Sequence, residues 1–190
     1  LETVLSNFTS ALQTLSTSPD SYSARSGVLS AAQALTQTLN STSNHIQGLR
    51  ADAEAGLSDA ANAANDAMQH IADINRQLGG MNPNDAAAAA LKDQRDSYID
   101  QLSQLMDIRV VDSGNNQVSV FTTSGIQLAG VTAAHFSFQP LGTLTPNSLY
   151  DSDPQKSGVG TLMLTAANGS GVDLIASNAI RSGRIAGLIE

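Results

Sequence analysis

Three aspartates spaced three and four residues apart are the strongest candidates for chemistry in this sequence. Asp93, Asp96 and Asp100 fall on one face of a predicted helix, and paired carboxylates act as acid and base when one is desolvated. Lys92 and Arg95 lie beside them, which favours an exposed or inter-helix charged face over a catalytic pair. We therefore predict that the three aspartates and Arg95 serve in subunit or inter-helix packing, and we predict no catalytic residue.

For Arg95 two roles are equally open. It sets the register between neighbouring subunits, or it forms an intramolecular salt bridge that holds its own helix.

The remaining polar residues do not form a metal or cofactor motif. His45, His70 and His135 are too far apart in sequence to make a local ligand pair. Residues 151–155 begin like a calcium loop, but Lys156 stands where the sharp turn of such a loop needs glycine. The chain has no cysteine, which excludes disulfides and thiolate ligands. The sequence predicts no metal, no cofactor and no enzyme.

Composition favours a structural protein over one that binds nucleic acid or membrane. The 190 residues carry a net charge of -8, and only 4% of them are aromatic, which suits a helical protein with thin cores. The nine basic residues are scattered, whereas nucleic acid and anionic lipid require clustered Lys and Arg. The chain has no apolar run of transmembrane length, and it does not start with a signal segment.

A long helix is predicted from about Val28 to Leu78, because apolar residues recur there at alternating spacings of three and four. Fifty residues of helix would span on the order of 75 Å. Its second half is rich in alanine, which permits close packing but buries little area. The seam consists of Val28, Ala32, Leu35, Leu39, Thr42, Ile46, Leu49, Ala53, Leu57, Ala60, Ala64, Ala67, Ile71, Ile74 and Leu78.

Two further helices flank the long one. The first runs from Leu1 to about Leu15 and stops near Ser18-Pro19. The third is predicted to begin with Asn82 as the N-cap and Pro83 at the first helical position, and to extend to Met106. Matching apolar stripes on the three helices predict an antiparallel, coiled-coil-like bundle.

After residue 107 the pattern changes to short β-branched runs separated by glycine and asparagine, which predicts a small, mostly antiparallel β domain. A hairpin turns at Gly114-Asn115-Asn116, residues 140–160 form a loop, and a helix begins near Ile185. The predicted fold class is α+β, with a helical rod domain at 1–107, a β domain at 108–180 and a returning helix at 181–190. The strands are predicted at 108–111, 118–121, 126–131, 134–138, 161–165 and 172–175. The predicted core of the β domain is Val118, Val120, Phe136, Phe138, Leu162 and Leu164.

Four segments together resemble the family of flagellar hook-associated protein 1, the bacterial hook-filament junction protein. The most specific is Asp93-Gln94-Arg95-Asp96, preceded by Leu91 and followed by spaced Ile99 and Leu102. Three other parts of the family pattern are similar to residues 8–25, 71–78 and 182–189. They follow one another in the same order as in the family. The run Ala86–Ala90 departs from that pattern, because the family usually passes almost directly from Asn-Asp into leucines.

This resemblance implies an extracellular structural component of the flagellum, exported unfolded by the type III apparatus without a cleavable signal peptide. The implied partners are further copies in a ring, the hook protein, a second junction protein or flagellin, and an export chaperone. The family's terminal arms are absent from this sequence, so we expect this fragment to be monomeric.

Two alternatives stay open. A surface adhesin or phage-tail fibre fragment would combine a coiled coil with β decoration, but it would more often form a parallel trimer. An enzyme or metal module hidden in the β domain is the other, and the thin supply of ligand residues disfavours it.

Overall fold

The chain folds into four helices and six strands among the residues that the structure, a computed structural model, describes: 1–140, 142, 144–151, 153, 156–167, 169–177 and 179–189. The predicted α+β class is confirmed, and the elements follow the predicted order. The helices are α1 (Glu2–Thr17), α2 (Tyr22–Leu78), α3 (Ala86–Leu105) and α4 (Gly183–Ile189). The strands are β1 (Ile108–Gly114), β2 (Gln117–Thr122), β3 (Gln127–Ala129), β4 (His135–Gln139), β5 (Thr161–Thr165) and β6 (Gly171–Asp173).

The chain divides into two compact units, Leu1–Arg50 and Ala51–Glu190, and the boundary falls inside α2. This grouping differs from the division at residues 107 and 180, which stays a prediction about domains. All the described strands lie within 108–180, and α4 lies within 181–190.

The first unit is a helical hairpin of α1 and the start of α2. Every described residue of α1 keeps some exposure, and the half-buried ones, among them Val4, Phe8 and Leu15, recur at helical spacing. On α2 the buried Ala24 and the half-buried Leu35 continue the same pattern. Two such stripes from helices joined by a short turn face one another.

The predicted seam of α2 is wrong between residues 39 and 49. Leu39 is 48% exposed, Ile46 49% and Leu49 69%, and Thr42 is also exposed. The reason is the length of the partner helix, since α1 has only 16 residues. As a hairpin partner it reaches to about residue 37 of α2, so the apolar residues beyond that point have no helix beside them in this unit.

The second unit has one main core that joins the end of α2 to both sheets. The predicted seam is confirmed there: Leu57 is 5% exposed, and Ala60, Ala64 and Ile71 are fully buried. Alanine side chains on α2 leave room for the sheets, and the larger side chains come from the strands and from all three helices of this unit, Met68 and Ile71 of α2 among them. The main core also contains Leu102, Met106, Val120, Leu128, Phe136, Leu162, Leu164, Leu174 and Ile185.

Two three-stranded antiparallel sheets pack onto this part of α2, in the orders β1-β2-β3 and β4-β5-β6. In the second sheet Phe136 pairs with Leu164, and Phe138 pairs with Leu162. Of the six predicted core residues, Val120, Phe136, Leu162 and Leu164 are buried, whereas Val118 and Phe138 are half-buried. Their alternation along each strand places one face of the sheet against the helices.

The third helix begins at Ala86, three residues later than Pro83, so its predicted start was wrong. Asn82 forms a turn instead of an N-cap. Its backbone oxygen accepts a hydrogen bond from the Asp85 N–H at 3.1 Å, and its side-chain oxygen accepts one from the Asn84 N–H at 3.1 Å. Asp85 then takes the N-cap position with extended backbone. An Asx turn competes with helix initiation for the same side-chain oxygen, and here the turn wins.

Candidate functional site

The predicted charged residues of α3 lie on opposite sides of the helix. Arg95 is 6% exposed and points into the second unit, whereas Asp93, Asp96 and Asp100 are exposed. None of the three carboxylates is desolvated, although acid-base chemistry requires one that is. The structure thus separates the four residues into an outward acidic face and a single inward cation.

Arg95 belongs to a buried polar network that joins α2, α3 and the β1–β2 hairpin. Its Nη1 donates to the backbone oxygen of Asn116 at 2.7 Å and to the Oδ1 of Asn75 at 3.3 Å. Of the two roles open for Arg95, the intramolecular one fits these contacts. The acceptors of these two hydrogen bonds are neutral oxygens. Among the described residues Arg95 makes one ion pair, from its Nε to the Oδ1 of Asp96 at 3.6 Å.

The side chain of Asn75 holds the first sheet by hydrogen bonds to backbone atoms of that sheet. Its Nδ2 donates to the oxygens of Val118 at 2.7 Å and Gly130 at 2.8 Å, while its Oδ1 accepts from the Val118 N–H at 3.1 Å. Strand β3 pairs with β2 only at Val120 and Phe121. The fully buried amide of Asn75 therefore supplies the hydrogen bonds that a longer β3 would have made to Val118.

Asn65 does the same for the second sheet. Its Nδ2 donates to the Phe136 oxygen at 2.8 Å, and its Oδ1 accepts from the Phe136 N–H at 2.7 Å. Strand β4 lies at the edge of its sheet, so no described strand pairs with it on the side away from β5. Two asparagines of α2 thus each fix one sheet to the helix, and the sequence analysis identified neither. No local signal marks them, because the same part of α2 also carries exposed polar residues such as Asn62, Asp66 and Gln69.

The hairpin tip has the backbone shape that brings Asn116 to Arg95. Gly114, Asn115 and Asn116 have φ values of +76°, +51° and +63°, the left-handed region that glycine and asparagine tolerate. The predicted turn is therefore confirmed. The Asn116 Nδ2 also donates to the Met81 oxygen at 3.0 Å, which ties the tip to the loop that follows α2.

Asp107 joins three segments at the other end of α3. Its Oδ1 accepts hydrogen bonds from the backbone N–H groups of Arg181 at 2.9 Å and Ser182 at 3.3 Å, and its Oδ2 accepts one from the Thr123 hydroxyl. Partial burial alone would raise the pKa of this carboxyl, but these hydrogen bonds outweigh burial and lower the pKa below its ordinary value of 3.8. Gly183 follows directly, with φ of +87°, and begins α4.

The three histidines considered as metal ligands do not come together. His70 stacks on Tyr98 with ring centroids 4.4 Å apart, and His45 and His135 are exposed. Within the described ranges no three metal-binding side chains come together. The loop resembling a calcium site includes Gln155, which lies outside the described residues. Among the described helices, none is both long and apolar enough to cross a membrane.

Comparison with known proteins gives one consistent answer. The model of the flagellar hook-associated protein FlgK helical domain matches residues 1–190. Flagellar hook-associated protein 1 of Bacillus subtilis (strain 168) is 30% identical over 154 residues, which are 80% of this chain and 29% of that protein. The solved structure of the flagellar hook junction protein FlgK from Burkholderia pseudomallei has a TM-score of 0.78 at 26% identity, over 99% of this chain and 32% of that one.

The fold and the buried network thus define a structural helical domain with two docked sheets. The chain belongs to the FlgK helical-domain family of flagellar hook-associated proteins, a structural family and not an enzyme family. It spans about a third of the length of the relatives it matches. None of these matches favours the adhesin or the tail-fibre alternative.

Proposed function

We propose that this chain is a structural part of the bacterial flagellum, and that the protein to which it belongs forms the junction between hook and filament by subunit packing. The observation that carries the proposal is the agreement of fold with the Burkholderia junction protein over 99% of this chain. The apolar residues that α1 leaves uncovered on α2 support it, because a filament component needs surfaces for other helices.

The proposed partners are further copies in a ring, the hook protein, and a second junction protein or flagellin. An export chaperone is also proposed, with type III export to the outside of the cell without a cleavable signal peptide. These 190 residues contain no cysteine, so they contribute no disulfide that would have to form or break during export.

The exposed aspartates of α3 have a proposed role in the register between neighbouring subunits. Like charges exclude wrong alignments, and Asp93, Asp96 and Asp100 are all exposed on one helix. Arg95 is proposed to act within its own subunit, a role supported by its contacts with Asn75 and Asn116. Replacing the exposed Asp93, which makes no ion pair with described residues, with lysine should therefore impair assembly but not folding, whereas replacing Arg95 with glutamate should impair both.

Complementation tests the junction role directly. The full-length gene product is expressed in a bacterium that lacks its own junction protein, and the fraction of hooks that keep a filament is counted. Attached filaments support the proposal. Flagellin shed into the medium, while the protein is stable and exported, refutes it.

Sedimentation of residues 1–190 is an independent test of the expected oligomeric state. The proposal predicts a monomer, because the helices of an antiparallel arrangement pack within one chain. A stable trimer would instead support a fibre or adhesin.

A further inference from the structure

A cleft of about 500 Å³ opens between α3, the loop after α2 and the tip of the β1–β2 hairpin. Lys92 and Arg95 supply its cations, and Asp112 supplies its one carboxylate. The Oδ1 of Asp112 already accepts a hydrogen bond from the Gly114 N–H at 2.8 Å. Lys92 makes no ion pair with any residue that the structure describes. The cleft thus has an excess of positive charge in a chain whose net charge is -8.

Among the residues that the structure describes, the one ion-pair partner of Arg95 is the exposed Asp96. Its side chain is buried, and its hydrogen-bond acceptors, Asn75 and Asn116, are neutral. The buried Nε has no hydrogen-bond partner among the described residues. Asp96 comes within 3.6 Å of it, but that carboxylate is 65% exposed and stays solvated. A buried guanidinium gains most from a carboxylate that is itself shielded from water.

Helix α2 carries carboxylates in a regular row. Asp52, Asp59, Asp66 and Asp73 are seven residues apart, so they lie on one face of the helix about 10 Å from each other. Asp73 bonds to Arg76 and Gln69. The first three are exposed and make no ion pair with described residues. This row is the charge complement of the cleft.

We propose that the cleft lined by Lys92 and Arg95 binds a carboxylate that a neighbouring copy of this chain presents from Asp52, Asp59 or Asp66 of its α2. The inference rests on the proposed junction function, because it requires copies to lie side by side. Lys92 meets the carboxylate first, since it is half-buried while Arg95 is buried. A row of carboxylates with a two-turn repeat would allow only a few discrete registers between neighbours.

Charge reversal in the full-length protein tests this contact in the strain that lacks its junction protein. Lys92→Glu should weaken each subunit contact on the order of tenfold and cause filaments to be shed, because it leaves the partner's carboxylate unpaired in the contact and facing a like charge. The control is Lys156→Glu, which reverses the other lysine of these 190 residues, outside the cleft, and removes an exposed ion pair with Asp153 that contributes little to stability. Thermal unfolding of both full-length variants must match the unaltered protein.

The second arm restores the pair with opposite charges. Asp52→Lys, Asp59→Lys or Asp66→Lys is combined with Lys92→Glu, and one of the three should recover attached filaments. In a full-length background without other cysteines, Lys92→Cys and the corresponding Asp→Cys variant should also give disulfide-linked dimers when isolated junctions are treated with a mild oxidant.

The outcomes separate the two proposals. If the unaltered protein retains filaments and Lys92→Glu does too, the cleft contact is refuted while the junction role stands. If Lys92→Glu sheds filaments, none of the three Asp→Lys variants restores them and no disulfide-linked dimer forms, the aspartates of α2 are refuted as the group that binds in the cleft. Failure of the unaltered protein to retain filaments refutes the junction role, and the cleft contact with it.

Discussion

Replacing Gly183 with alanine tests how closely α4 approaches the end of α3. Gly183 has φ of +87°, and a Cβ there would lie 2.7 Å from the Leu105 carbonyl carbon and oxygen and from the Met106 nitrogen. These are backbone atoms, so no side-chain rotation relieves the overlap. The left-handed backbone costs alanine about 1–2 kcal/mol, and forced overpacking costs about 1–3 kcal/mol more. We expect Gly183→Ala to lower the free energy of unfolding by about 3 kcal/mol.

Two other glycines separate the contributions. Gly125 has φ of +93° with nothing within 4 Å of an added Cβ, so Gly125→Ala should cost only the backbone term, about 1–2 kcal/mol. Gly187, inside α4, has neither feature, and Gly187→Ala should stabilise the helix by up to about 1 kcal/mol.

The measurement is chemical unfolding followed by far-ultraviolet circular dichroism, with hydrogen exchange of α3 and α4 to localise the change. From most to least stable, the expected order is Gly187→Ala, the unaltered chain, Gly125→Ala and then Gly183→Ala. If Gly183→Ala and Gly125→Ala had the same free energy of unfolding, the inferred close approach of α4 to Leu105 would be refuted.

Two further results are expected. Asn75→Ala should lower the free energy of unfolding by about 3 kcal/mol or more, because it strands buried groups of Val118 and Gly130. Asn65→Ala should cost about 1–2 kcal/mol, and the exposed Asn62→Ala should cost nothing. In urea titrations, an effect at residue 65 or 75 no larger than the effect at residue 62 would contradict the anchoring role of that asparagine. The lowered pKa of Asp107 stabilises the fold above the ordinary carboxyl pKa of about 4, and this contribution is lost as the pH falls through the lower folded value. Acid titration of Asp107→Asn should lack that part of the loss, and a profile identical to that of the unaltered chain would argue against it.

Local pattern was sufficient to predict most elements of this chain. The three- and four-residue spacing fixed the long helix, and β-branched runs between glycine and asparagine marked the strands, because both signals depend on near neighbours in sequence. The start of α3 was misplaced because Asn82 can cap a helix or close a turn with the same oxygen.

Burial was harder to predict where it depends on a partner. Leu39, Ile46 and Leu49 have the same spacing as the buried residues of α2, and only the length of α1 determines that they stay exposed. In sequence Arg95 resembles the charged residues around it, yet it is the one among them that is buried, and its partners Asn75 and Asn116 come from distant positions in the chain. Spacing within one helix contains no information about those contacts.

The use of asparagine amides to hold the sheets has a consequence for sequence variation. Asn65 and Asn75 recognise the peptide groups of Phe136 and Val118, not their side chains. Outward-facing side chains of these strands are therefore free to change without loosening the attachment of either sheet. The same helix could carry differently decorated sheets, each adapted to other surroundings, while the two anchoring amides stay in place.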